Sequence, residues 1–176
     1  FVRKISCNEL LYADMQDILH AYASQYVMEI KSLKSEKKLE QALNAAVKFN
    51  SGSNLFLKRK TFYDVDHPMS LKYAVIRDKI LWDSDFFNEK VDYHKESILA
   101  YVVSHNKKRY FVLKISHSAM DGKGGLLLIN NIFRSMNNEK MERYDNLMVD
   151  RELVKQLPYK SKNEFKFPPL KPKNAK

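Results

Sequence analysis

The sequence predicts an α/β (α+β) two-layer sandwich, a mixed sheet with helices packed on it. Three observations carry that expectation. Strand-like and helix-like patterns alternate as βαβαβ over the first 63 residues, a hairpin pattern follows at 97–117, and an apolar helical run comes directly after a glycine cluster. A chain of 176 residues with 44% hydrophobic and 12% aromatic residues is long and apolar enough for one packed core.

Each element has its own signal. "FVRKI" alternates as a short strand. "NELLYADMQDILHAYA" sets Leu11, Met15, Ile18, Leu19 and Tyr22 at helical spacing, with Asn8 as the expected N-cap. In "QYVMEIKS" the side chains of Tyr26, Met28 and Ile30 share one strand face. Ser35 then caps "EKKLEQALNAAVKF", whose Leu39, Ala42, Leu43, Ala46 and Val47 make an apolar stripe. "SGSN" breaks that helix, "LFLKRKTFY" reads as one further strand, and Pro68 punctuates the chain before the strand "LKYAVIRD". Residues 78–96 read mostly as loop. "SILAYVVSH" and "RYFVLKISH" flank the polar "NKK" as a hairpin, placing His117 at the end of a central strand and a helix at about 123–137. Residues 1–141 make one lobe in this reading, and 142–176 a basic Pro/Lys-rich linker or tail.

The charge is unevenly placed. Of a net +10, residues 151–176 supply +6, from Arg151 and seven lysines against Glu152 and Glu164, so the body carries only +4 and nucleic acid is a weak choice of partner. The single cysteine, Cys7, forms no internal disulfide, which points to a reducing compartment, the cytoplasm. No apolar run approaches membrane-spanning length, and a start at Phe1 suggests an excised or processed chain.

The stretch "KISHSAMDGKGGLLLINN" holds Gly122, Gly124 and Gly125, three of only four glycines; the fourth is Gly52. A strand ends near Ser116 and a helix begins a few residues later, so glycine is expected to make the turn and to let a ligand or a neighbouring segment approach the backbone closely. His117 and Asp121 bracket it. A histidine here is read first as a hydrogen-bonded structural residue. A Ser/His/Asp triad from Ser116, Ser118, His117 and Asp121 is disfavoured, because adjacent side chains on a strand point to opposite faces. "GKGG" lacks the spacing and the Lys-Ser/Thr ending of a phosphate loop. No metal is expected, since His20, His67, His94 and His105 stand at no ligand spacing.

The run "RYFVLKISHSAMDGKGGLLLINNIF" resembles the H-x-x-x-D-G motif of the chloramphenicol acetyltransferase-like superfamily, which includes condensation domains of nonribosomal peptide synthetases and related alcohol acyltransferases. "SEKKLEQALNAAVKFNSGSNLFLKR" is similar to the family's first-lobe segment, and the likeness spans roughly residues 3–138. Two departures stand out. Ser116 occupies the place where many condensation domains have a second histidine, and the length matches the first of two lobes only.

The resemblance implies roles. His117 would act as general base on an acceptor hydroxyl or amine attacking an acyl thioester of coenzyme A or an acyl-carrier protein, with no tightly bound cofactor. Asp121 would hold the loop, Gly122 would leave room for a substrate tunnel, and Ser116 and Ser118 would border the channel. A second lobe or an oligomeric partner would complete the cleft. The alternative is a non-catalytic scaffold lobe of the same fold.

Overall fold

The computed structural model describes residues 3–143, apart from 20, 21, 32, 34, 51 and 66; His20 and nearly all of the expected basic tail lie outside the described residues. The elements run β1 (Arg3–Lys4), α1 (Cys7–Ile18), β2 (Ala23–Glu29), α2 (Glu36–Phe49), β3 (Leu55–Lys58), β4 (Thr61–Asp64), β5 (Lys72–Val75), β6 (Ile98–His105), β7 (Lys108–Ser116) and α3 (Gly122–Met136). Residues 78–96 contain two short 3-10 turns, Leu81–Asp83 and Asp85–Asn88, within otherwise irregular chain.

The described strands form two sheets. The larger is ordered β2-β7-β6-β5 and the smaller β1-β4-β3. The large sheet is mixed, because β5 runs parallel to β6 while β2, β7 and β6 are antiparallel. The stretch read as one strand over 55–63 is a hairpin. Arg59 and Lys60 make its two-residue turn with φ of 48° and 60°, a left-handed conformation normally left to Gly or Asn, so no turn residue announces it. The β6–β7 turn at Asn106 and Lys107 uses the same device, with φ of 47° and 63°.

Strand alternation divides the core between the two faces of the large sheet. Ile98, Ala100 and Val102 of β6 and Phe111, Leu113 and Ile115 of β7 pack against Leu39, Ala42, Leu43 and Ala46 of α2 and Leu128 and Ile132 of α3. Each buried leucine or isoleucine in that layer stabilises the fold by about 1.5–3 kcal/mol relative to exposure. The opposite face, with Leu99, Tyr101, Val103 and Val112, is covered by Ile76, directly after β5, and by Leu81 and Val91 from the irregular segment. A third cluster joins the small sheet to α1 through Leu55, Leu57, Phe62, Tyr93 and Ala13.

The stripe on α2 is buried as its spacing predicts, and Ser35 Oγ accepts from Lys38 N at 3.3 Å as its cap. Helix α1 departs from expectation twice. Its N-cap is Ser6 rather than Asn8, because S-x-x-E at 6–9 closes a capping box: Glu9 N donates to Ser6 Oγ at 3.3 Å, and Ser6 N donates to Glu9 Oε2 at 2.8 Å. Arg3 pairs with the same carboxylate. Most of the apolar stripe expected on α1 faces outward, with Leu11 58% and Ile18 74% exposed and Met15 half-buried, while Ala13 and Gln16 face the protein.

Residues just beyond α3 still belong to the lobe. Glu142 N donates to Asn131 Oδ1 at 2.8 Å, and Asn131 Nδ2 returns a bond to Glu142 O at 2.7 Å.

Candidate active site

β7 is an inner strand of the large sheet, and His117 is the first residue beyond its end. The chain then closes one tight turn, in which Ala119 N and Met120 N both donate to Ser116 O at 3.0 and 3.3 Å, before α3 begins at Gly122. No residue from 117 to 125 has positive φ, so glycine's conformational freedom is not what makes this turn. The glycines lie in the first turn of α3, and Gly125 is required there by proximity. A Cβ added to Gly125 would sit 2.6 Å from Tyr26 Cζ, whereas one on Gly122 would meet nothing within 4 Å. Tyr26, reaching across from β2, donates its hydroxyl hydrogen to Gly122 O at 3.0 Å.

Asp121 is the N-cap of α3. Its Oδ1 accepts from Gly124 N at 2.7 Å, and its backbone carbonyl from Gly125 N at 3.0 Å. The carboxylate is exposed, so its removal deletes a cap and strands no buried charge. Asp121→Ala is therefore expected to cost about 1 kcal/mol of stability, read as a small drop in denaturation midpoint at unchanged m-value. An unchanged midpoint would show that the cap contributes nothing.

Ser116 and Ser118, expected to border a channel, are buried, and their hydroxyls are already engaged. Ser116 Oγ donates to Gln16 Oε1 at 2.7 Å and lies 2.8 Å from Ser118 Oγ. Gln16, itself fully buried, donates through Nε2 to Val91 O at 2.5 Å. The loop around His117 is thus tied to α1 from below, an arrangement no sequence pattern announces.

The His117 ring is half-buried and lies against Tyr12 of α1, with ring centroids 4.3 Å apart and planes 15° from parallel. Tyr22 lies beside both, at 6.3 Å from His117 and 6.1 Å from Tyr12. Nδ1 of His117 is buried with no hydrogen-bond partner among the described residues.

Further back on β7, Lys114 is fully buried. It donates to Phe86 O, stands 4.0 Å from the Phe86 ring centroid, and lies 3.6 Å from Glu89 Oε2. Burial pushes its ammonium group below the usual lysine range, opposed by Glu89. Tyr101 donates to the same carboxylate at 3.3 Å, and burial, with the Glu89 charge, raises its hydroxyl to about 12. This group fastens the irregular segment onto the sheet.

Among the described residues no three His, Cys, Asp or Glu side chains gather as a metal site. His67, His94 and His105 each place a ring nitrogen near a backbone carbonyl, those of Pro68, Leu57 and Asp78. A groove of about 560 Å³ lined by Phe49, Arg134, Lys140, Met141, Glu142 and Arg143 lies toward the other end of α3 from His117. No helix among the described residues is long and apolar enough to cross a membrane.

No protein-family model matches the sequence, and no curated protein is matched by it. Solved structures do match in shape. The starter condensation domain of rhizomide synthetase RzmA superposes with a TM-score of 0.63 at 11% identity, covering 88% of this chain and 43% of that one. The epimerization domain from the third module of tyrocidine synthetase B gives 0.62 at 11% identity, over 88% and 40%. The first condensation domain of the calcium-dependent antibiotic synthetase gives 0.58 at 13% identity, over 81% and 40%. The chain thus spans less than half the length of these structures. With two sheets and three helices among the described residues, matched over a fraction of each of these domains, the chain has the chloramphenicol acetyltransferase-like fold that part of a condensation domain adopts.

Proposed function

We propose that this chain is the N-terminal lobe of a condensation-domain-like acyltransferase in which His117 is the general base. The observation that supports this reading best is the place of His117, at the end of an inner strand and beside the N-terminus of a helix, with a half-exposed ring. In the proposed step the imidazole takes the proton of an acceptor hydroxyl or amine as its oxygen or nitrogen attacks the thioester carbonyl. The tetrahedral oxyanion then collapses, the carbon–sulfur bond breaks, and the leaving thiolate recovers the proton from the imidazolium. The donor is an acyl thioester of coenzyme A or an acyl-carrier protein. A second lobe or an oligomeric partner supplies the facing wall of the cleft. Asp121 and Gly122 shape the start of α3, and Ser116 and Ser118 act beneath the histidine as supports.

The test follows thiol release by the complete polypeptide from acetyl-coenzyme A or an acyl-carrier thioester, with hydroxyl and amine acceptors. His117→Ala is expected to lose roughly 10²- to 10⁴-fold in rate at a melting temperature close to wild type. Undiminished release by His117→Ala would replace this reading with that of a scaffold lobe.

A further inference from the structure

We propose that Tyr12 sets the plane of the His117 imidazole, which makes α1 the positioning element of the candidate base; the inference rests on the general-base reading above. A histidine ring turns freely about its last side-chain bond, in a broad two-fold well, unless something holds it. A hydrogen bond at the inner nitrogen commonly does so, by fixing both tautomer and direction. Here Nδ1 is buried with no such partner among the described residues, and the parallel ring of Tyr12 at 4.3 Å is the nearest aromatic surface to it.

The tyrosine is itself held. Tyr12 precedes Gln16 by four residues, so both side chains leave the same face of α1. Gln16 fixes that face to the lobe at two points, Val91 O and Ser116 Oγ, and Ser116 is the residue immediately before His117. One helical turn therefore gives the ring a floor and the loop an anchor. The outward stripe of Leu11 and Ile18 takes no part in this attachment.

The test has a spectroscopic arm and a kinetic arm. With the histidine rings of the 176-residue chain isotopically labelled, the protons of His117 are expected upfield of the free-imidazole position, shielded by the tyrosine face; those of His94, 4.4 Å from the Tyr93 ring, carry a ring-current shift of their own that does not depend on Tyr12. Tyr12→Leu should move them downfield and Tyr12→Phe should restore them. The other histidine signals, expected unchanged in both variants, report that the fold persists. In the complete polypeptide, Tyr12→Leu is expected to lower kcat by roughly 10- to 100-fold with KM for the thioester unchanged, and Tyr12→Phe to recover it. Unmoved His117 resonances in a folded Tyr12→Leu variant overturn the proposal, as does an equal loss of kcat in the Leu and Phe variants. Full turnover by Tyr12→Leu beside an inactive His117→Ala removes the positioning role and leaves the base standing. A fully active His117→Ala removes both.

Discussion

The 176-residue chain, monomeric in solution, will fold yet release no more thiol from acetyl-coenzyme A than its own His117→Ala variant. The reason is geometric. His117 stands at one end of the sheet with a half-exposed ring, and the chain covers only about two-fifths of the condensation and epimerization domains it superposes on. Bringing donor, acceptor and base together accounts for up to about 7–11 kcal/mol of barrier reduction in well-oriented reactions. A single wall leaves most of that unrealised, and water competes for each polar contact on the open side. Molecular mass by light scattering and thiol release, measured on one sample, decide the matter. A strictly monomeric preparation with His117-dependent turnover would overturn the expectation, whereas turnover confined to an oligomer would identify a neighbouring copy as the second wall.

Alanine at the three glycines of α3 will give three different stabilities. Gly125→Ala is expected to destabilise by about 1–3 kcal/mol, because its Cβ overlaps the Tyr26 ring and the neighbours must shift. Tyr26 is constrained on two sides: its backbone pairs with Leu113 in the sheet, and its hydroxyl bonds to Gly122 O. At Gly122 the space is open and φ is not positive, so alanine should add up to about 1 kcal/mol through helix propensity alone. At Gly124 the added carbon would lie 2.7 Å from Met120 Cγ and 3.2 Å from the capping Asp121 Oδ1, so the clash outweighs the gain in propensity and a loss smaller than at Gly125 is expected. For a chain of this size each kcal/mol moves the melting temperature by about 2–4 °C, so thermal scans resolve the order. Equal shifts in all three variants would mean that Tyr26 does not pack against Gly125.

The contrast among these glycines also shows what a linear sequence holds and what it hides. Helix α2 and the β6–β7 hairpin were legible because their signals are local: a serine cap ahead of a stripe, and two apolar runs around a polar dipeptide. His117 at the end of an inner strand followed from the same hairpin. Where a long-range contact decides, the pattern misleads. The leucines of α1 imply a buried stripe, yet the side that docks carries Ala13 and a glutamine, and burying Gln16 is tolerable only because Val91 and Ser116 satisfy its amide from distant parts of the chain. The Arg59–Lys60 turn carries no local signal, because basic residues there adopt a conformation usually marked by glycine. Of the two roles the sequence implies for the glycine cluster, close approach of a neighbouring segment holds at Gly125, which packs against Tyr26, whereas chain reversal does not, since no residue of the turn has positive φ.

The bonds of Gln16 have a consequence for the order of assembly. It joins Val91 and Ser116 across 75 and 100 residues of chain, whereas β6 and β7 meet through a two-residue turn. Closing loops of that length costs conformational entropy that only the later packing offsets, so contacts of short sequence span form first. The strand that leads to the histidine is thus expected to form early from neighbours in sequence, and the Gln16 bonds beneath the histidine loop only later, when the N-terminal helix docks.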